Sequence, residues 1–285
     1  MQIALGRNLA RFLIMLACWC AAPHSYANQR TPPKQIVSVN LCADQMLIAL
    51  APRNKIAALG PFSRDPGLSF FSGRAESFPQ VRPRSEALFG IEADAIAVGP
   101  FDNAFMRRVI ARRNIEEIIV GRWTSIAEVL DGVATFAGAI GEVAAGNELA
   151  IEIQRSMKSI HRLVDRTPAP SFLILHRRGF VGEGGLVSEL LEVAGFVDAG
   201  KGLASSFLSV ESVVALRPTL LAVSGRNLNS EDRGLELLEH PALARLYPND
   251  RLITTPDVLT ICGGPSTPAL ISHLRNELNA WMLKQ

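Results

Sequence analysis

Short apolar runs alternate with amphipathic stretches along most of the 285-residue chain, and this alternation limits the folds open to it. The runs are Ile36–Val39, Ile56–Leu59, Ala95–Val98, Ile118–Val120, Phe172–Leu175, Leu220–Val223 and Leu252–Thr254. Each is too short for a helix and apolar at nearly every position, so each predicts a strand covered on both faces. Stretches such as Asn103–Arg113 and Ser125–Ile140 between them carry helical spacing. Strands of this kind alternating with helices predict an α/β fold of Rossmann-like lobes with mainly parallel sheets.

One amphipathic stretch stands apart. From Glu142 to Asp165 there is no proline, and Leu149, Ile153, Met157, Ile160 and Val164 recur at steps of three and four. That spacing predicts one helical stripe. At about 1.5 Å per residue the helix would run for roughly 35 Å before Thr167-Pro168-Ala169-Pro170 stops it. The expected organisation is a lobe at 35–141, a bridging helix at 142–167 and a second lobe at 168–285. A proline-rich linker, 28–34, precedes them. SEALFGIEADAIAVG (Ser85–Gly99) is similar to VESVVALRPTLLAVS (Val210–Ser224) at a step of 125 residues, with Glu86 set against Glu211. Two related lobes, one on either side of the long helix, account for that repeat.

The first 27 residues read as a cleavable export signal. Arg7 and Arg11 precede the apolar stretch Phe12–Ala22, and Ser25-Tyr26-Ala27 offers small residues for cleavage. A lipid anchor at Cys18 is disfavoured, because Met15-Leu16-Ala17 form a poor lipobox. The leader carries two arginines and no acid, so 29 less 2 leaves 27 basic against 27 acidic side chains. A neutral chain lacks the basic excess that nucleic-acid binding needs. The chain contains no GxSxG, HExxH, GxGxxG or P-loop, so no catalytic residue and no resident metal site is expected.

The order of IVSVNLCADQMLIAL, KIAALGPFSRDP, SEALFGIEADAIAVGP, a long helix and VESVVALRPTLLAVSG resembles the periplasmic binding proteins of ABC importers for ferric siderophores and cobalamin. The similarity runs from about Gln35 to Trp281. The resemblance implies a monomer in the periplasm that holds a metal chelate between two lobes. It would deliver that chelate to an inner-membrane permease driven by a separate ATPase. It further implies that Glu86 and Glu211, one on each lobe, dock on the permease. The other readings are an exported two-lobed enzyme working in the cleft, and a sensor that reports ligand to a membrane receptor.

Ligands of open α/β sheets sit beyond the carboxyl ends of the strands. In the first lobe that rule selects Asn40, Cys42, Phe62, Ser63, Arg64, Phe101, Arg122 and Trp123. In the second it selects His176, Arg177, Arg178, Phe180, Asp257 and Cys262. By the resemblance, Phe62 takes the place of an aromatic ring that packs on the ligand. Aromatic rings offer flat contact area, and arginines favour anionic groups. Together they suit a ferric siderophore, haem or a corrinoid, with no covalent cofactor. Beyond the leader the sole tyrosine is Tyr247, away from these turns, so tyrosine ligation of haem is not expected. Cys42 and Cys262 remain once the leader is gone. A disulfide needs α-carbons within about 7 Å. Two readings follow: a disulfide that ties the lobes together at the cleft, or, as the favoured expectation, two separate buried thiols lining it.

Overall fold

The computed structural model describes residues 31–82, 90–100, 110, 115–176, 184–203, 207–224 and 240–285. The leader, the helix expected at 103–113 (Ile110 excepted) and the segment around Glu86 lie outside them. In chain order come β1 (Ile36–Ser38), α1 (Leu41–Leu50), β2 (Ile56–Ala58), the short α2 (Ser72–Ala75), β3 (Ala95–Val98) and β4 (Glu116–Ile119). Then follow α3 (Ile126–Ile140), α4 (Val143–Lys158), β5 (Ser171–Leu175), α5 (Gly185–Val193), β6 (Val197–Asp198) and α6 (Val210–Leu216). The chain closes with β7 (Leu220–Ser224), α7 (Pro241–Leu246), β8 (Leu252–Thr255), α8 (Asp257–Thr260) and α9 (Thr267–Met282).

The strands form two parallel four-stranded sheets, ordered β2-β1-β3-β4 and β6-β5-β7-β8. The orders are the same once strands are matched by rank. Strands β3 and β7, the ends of the sequence repeat, fill the same third place in their sheets. The expected α/β class and the seven expected strands are all present, with ends shifted by up to two residues. β6 is the strand the sequence did not announce, since two residues carry no periodic signal. It is fixed instead by Asp198, whose carboxylate accepts from Ser188 Oγ at 2.7 Å and from the Gly200 N–H at 2.8 Å.

Period-two alternation sorts the strand residues between cores. Val37, Ile96 and Val98 face an outer cluster of the first sheet, and Leu173, Leu175, Leu221 and Val223 face one of the second. The opposite faces, with Ile36, Ala95, Ala97, Phe172, Ile174, Leu220 and Ala222, join one continuous core shared by helices of both lobes. This core includes Met46 of α1, Val133 and Phe136 of α3, Ile153 of α4, Leu190 of α5 and Leu274 of α9.

Helix α4 is shorter than its sequence pattern suggests. It spans 16 residues, about 24 Å at 1.5 Å per residue, and ends at Lys158. Ile160 and Val164 continue the apolar spacing and are buried, but they lie on turn and extended chain. The Arg162 N–H donates to Val193 O and the Val164 N–H to Ala194 O, both at 2.8 Å, so this segment satisfies its backbone against the end of α5. Burial alone reproduced a helical period there.

Candidate functional site

The first lobe meets the second at the start of α1. Asn40 caps that helix, its Oδ1 accepting from the Cys42 N–H at 3.0 Å and the Ala43 N–H at 3.3 Å. Cys42 is thereby held on the first turn and bridges to Cys262 in a disulfide, with α-carbons 5.3 Å apart and 220 residues between them in sequence. Of the two readings of this pair, the disulfide is the one present, and the favoured one of two separate thiols is corrected. It failed because the loop after α8 crosses into the first lobe, which the sequence does not show. Asn40 is likewise committed to its capping bonds and Cys42 to its bridge.

The crossing loop is Ile261–Ser266. Cys262 is 1% exposed, and the Ser266 hydroxyl donates to the Cys262 carbonyl at 2.7 Å. The two glycines after the cysteine allow a close fit. A Cβ on Gly263 would lie 2.8 Å from Trp123 Cβ and 2.9 Å from Val129 Cγ2. A Cβ on Gly264 (φ 78°) would lie 2.9 Å from Met46 Sδ. Side chains at either position would force the loop off the first lobe.

Trp123 follows β4 and lies against this loop. Its other neighbour is Gly132 of α3, where an added Cβ would approach Trp123 Cζ3 to 2.8 Å. The next residues set the entry of α3. The Ser125 hydroxyl caps the Glu128 N–H at 3.1 Å, while the Glu128 carboxylate accepts from the Thr124 N–H at 2.9 Å and its hydroxyl at 2.6 Å. Those bonds hold Glu128 below the usual carboxylate range, the Thr124 hydroxyl contributing most. From the second lobe, Glu189 of α5 accepts the Ile126 N–H at 2.7 Å. A second-lobe carboxylate thus serves the positive end of a first-lobe helix.

Between these ties lies a cavity of about 350 Å³. Trp123 and Thr124 form its first-lobe wall. Facing them are Ile174 and His176 at the end of β5, Gly184–Val187 at the start of α5, Thr255 and Asp257 after β8, and Thr260, Ile261 and Leu270. It lies beyond the carboxyl ends of β5 and β8, where an open α/β sheet accepts a ligand. A second cavity of about 400 Å³, lined by Phe70, Phe71, Arg74, Glu148, Glu152 and Pro268 among others, is not at those strand ends. Desolvation pushes His176 below its ordinary 6.5, against the pull of the Asp257 charge. Burial therefore favours the neutral over the charged imidazole.

Of the residues chosen from sequence, Trp123, His176 and Asp257 stand on this one cavity, with Cys262 next to its wall residue Ile261. Ser63 does not, and that expectation is corrected. It is fully buried, with its hydroxyl donating to Gly60 O at 2.7 Å. Arg64 is turned to the body of its own lobe, donating to Phe78 O at 2.6 Å. Arg122 lies on the surface beside Glu128, whose carboxyl its charge helps to lower. Phe62 is 57% exposed on the turn after β2 and is not part of the wall. Tyr247 is buried in the outer core of the second sheet. Phe101, Arg177, Arg178 and Phe180 lie outside the described residues, as does Glu86. Glu211 is exposed in the first turn of α6, its carboxyl lowered chiefly by the Ser209 hydroxyl. The start of α5 was not selected from sequence, although Gly184-Gly185 before an apolar helix was a usable signal.

No family model and no curated protein matches the sequence. Solved structures do match. A periplasmic heme-binding protein from Pseudomonas aeruginosa is 18% identical with a TM-score of 0.67, over 85% of this chain and 91% of that one. A structure described as an ABC-type Fe3+-hydroxamate transport system from Saccharomonospora viridis is 14% identical with a TM-score of 0.65, over 87% and 93%. The periplasmic vitamin B12 binding protein of Vibrio cholerae is 15% identical with a TM-score of 0.64, over 89% and 99%. The chain has the two-lobed α/β fold of these proteins.

Proposed function

We propose that the protein is the periplasmic substrate-binding component of an ABC importer for a metal chelate of the siderophore, haem or corrinoid class. It binds and delivers rather than catalyses. The observation that carries this reading is the cavity at the strand ends between the two sheets, in a fold shared with proteins named for heme, Fe3+-hydroxamate and vitamin B12. The wall chemistry suits a flat or caged ligand. Trp123 offers an aromatic face, Ile174, Leu186 and Ile261 offer apolar contact, and Thr124, Thr260, His176 and Asp257 supply a few polar groups. His176, whose charged form burial disfavours, adds an imidazole to those polar groups. In this reading Glu211, with Glu86, meets the permease, and such exposed charges mainly orient and speed the encounter.

The test is direct. The exported protein is purified, and the absorption spectrum and mass of any co-purifying compound are recorded. Haemin, aquocobalamin and a ferric trihydroxamate are then titrated against intrinsic fluorescence, which Trp123 on the wall should report. At least one should bind in the micromolar range or tighter. Failure of all three to bind below about 1 mM, roughly −4 kcal/mol, would reject the proposed ligand class.

A further inference from the structure

We infer that the Cys42–Cys262 disulfide and the two glycines behind it form a strut that sets the position of Trp123 on the cavity wall. Cys42, Cys262, Gly132 and Gly263 are thus positioning residues for ligand capture. The inference rests on reading the cavity as the ligand site, and it adds what holds that site in shape.

Three observations carry it. First, the disulfide joins the first turn of α1 to a loop of the other lobe, and its second-lobe half is almost wholly buried. Second, that loop touches the Trp123 side chain with nothing between them. Gly263 on one side and Gly132 on the other leave less than a methyl's width beside the indole. Any displacement of the loop therefore opens space beside Trp123, and any added bulk moves the ring. Third, the same loop contributes Ile261 to the cavity while the adjoining α9 contributes Leu270, so strut and wall are one piece of chain. The Glu189 carboxylate on the Ile126 N–H is a separate interlobe tie, and it does not touch the indole's glycine contacts. With the covalent tie cut, the packing of Gly263 and Gly264 on Met46, Val129 and Trp123 is left to keep the loop seated on the first lobe, and such local elements open readily.

The experiment compares the exported protein with the Cys42→Ser/Cys262→Ser double variant and with Gly263→Ala, which keeps the disulfide. Acrylamide quenching reads Trp123, because Trp281 is only 3% exposed. Amide hydrogen exchange is followed in 258–266 and 123–133, with β3 and β5 as controls. Haemin, aquocobalamin and a ferric trihydroxamate serve as probes. In the double variant the quenching constant should rise at least 3-fold and exchange in the two segments at least 10-fold, with the controls unchanged. Gly263→Ala should raise quenching comparably with its disulfide intact. Any probe that binds the parent should bind both variants at least 10-fold more weakly. Quenching and exchange within 2-fold of the parent in the double variant overturn the strut. Should that variant not fold, unchanged quenching in Gly263→Ala overturns it alone. If no probe binds the parent, the ligand reading fails, and quenching and exchange still decide the strut.

Discussion

Asp44 offers a sharp test of the packing around α1. It lies in the first turn of that helix with no exposed surface. Its Oδ1 accepts the Gly60 N–H at 3.0 Å, while Oδ2 has no hydrogen-bond partner. Burial pushes its pKa from 3.8 up to about 6, against the lowering effects of the Gly60 N–H and the Ser38 hydroxyl. The folded state therefore binds this proton more tightly than the unfolded chain. The associated stability is whole below pH 3.8 and is lost as pH rises through about 6. The size follows from 6 − 3.8, about 2.2 units at 1.36 kcal/mol each, or about 3 kcal/mol. Asp44→Asn keeps an oxygen for Gly60 and removes the ionisation. Urea unfolding of parent and variant, followed by circular dichroism at several pH values from 4 to 7.5, isolates this one group, because every other titration is common to both. The variant should match the parent within about 1 kcal/mol at pH 4 and gain on it by up to about 3 kcal/mol at pH 7.5. A difference that stays flat over that range, or grows in the parent's favour, would refute the reasoning.

Other consequences can be measured in parallel. Closing a loop across the 220 residues between Cys42 and Cys262 is worth about 5 kcal/mol by chain entropy, so the Cys42→Ser/Cys262→Ser variant should unfold at markedly lower denaturant, and a loss under about 1 kcal/mol would show that the tie constrains little. Thiol titration of the unreduced exported protein should find neither cysteine reactive. A methyl on Gly146 of α4 would come within 2.4 Å of Ala137 Cβ on α3, so Gly146→Ala should cost about 1–3 kcal/mol despite alanine's better helix propensity; a stabilised variant would contradict so close a crossing. His176 should titrate below 6.5 by NMR, and Asp257→Asn should lower it further by removing the opposing charge. Glu86→Ala with Glu211→Ala should impair uptake in cells while ligand affinity is kept, and unchanged uptake would remove the docking assignment.

What could be read from the sequence follows the range of the forces involved. The strands were legible because parallel strands covered on both faces must be apolar at successive positions, as in Ala95–Val98 and Leu220–Ser224. The start of α3 was legible from the helical spacing of Ser125–Ile140, and the Ser125 cap fixes it there. The end of α4 was not, since Ile160 and Val164 are buried for tertiary reasons that imitate helical spacing. In the site, proximity to a strand end brought Trp123, His176 and Asp257 to one cavity. The same criterion also selected Ser63 and Arg64, whose polar atoms are spent on Gly60 and Phe78 of their own lobe. A strand end locates the backbone. It does not say which way the next side chain turns, and that depends on neighbours distant in sequence.

The Ile261–Ser266 loop shows why the two lobes belong to one core although the sequence repeats. Each sheet has its own outer cluster, closed within its lobe. The inner faces have no such closure, and Met46, Val129 and Val133 of the first lobe are packed in one cluster with Leu270, Ile271 and Leu274 of α9. The loop enters where that shared core meets the cavity beside Trp123. There, bulk is traded for proximity, with glycines at 263 and 264 set against Met46, Val129 and Trp123. An apolar side chain at either glycine would bury more surface but hold the lobes apart. Small residues at this crossing thus let the lobes approach closely, and they also set the indole against the cavity wall.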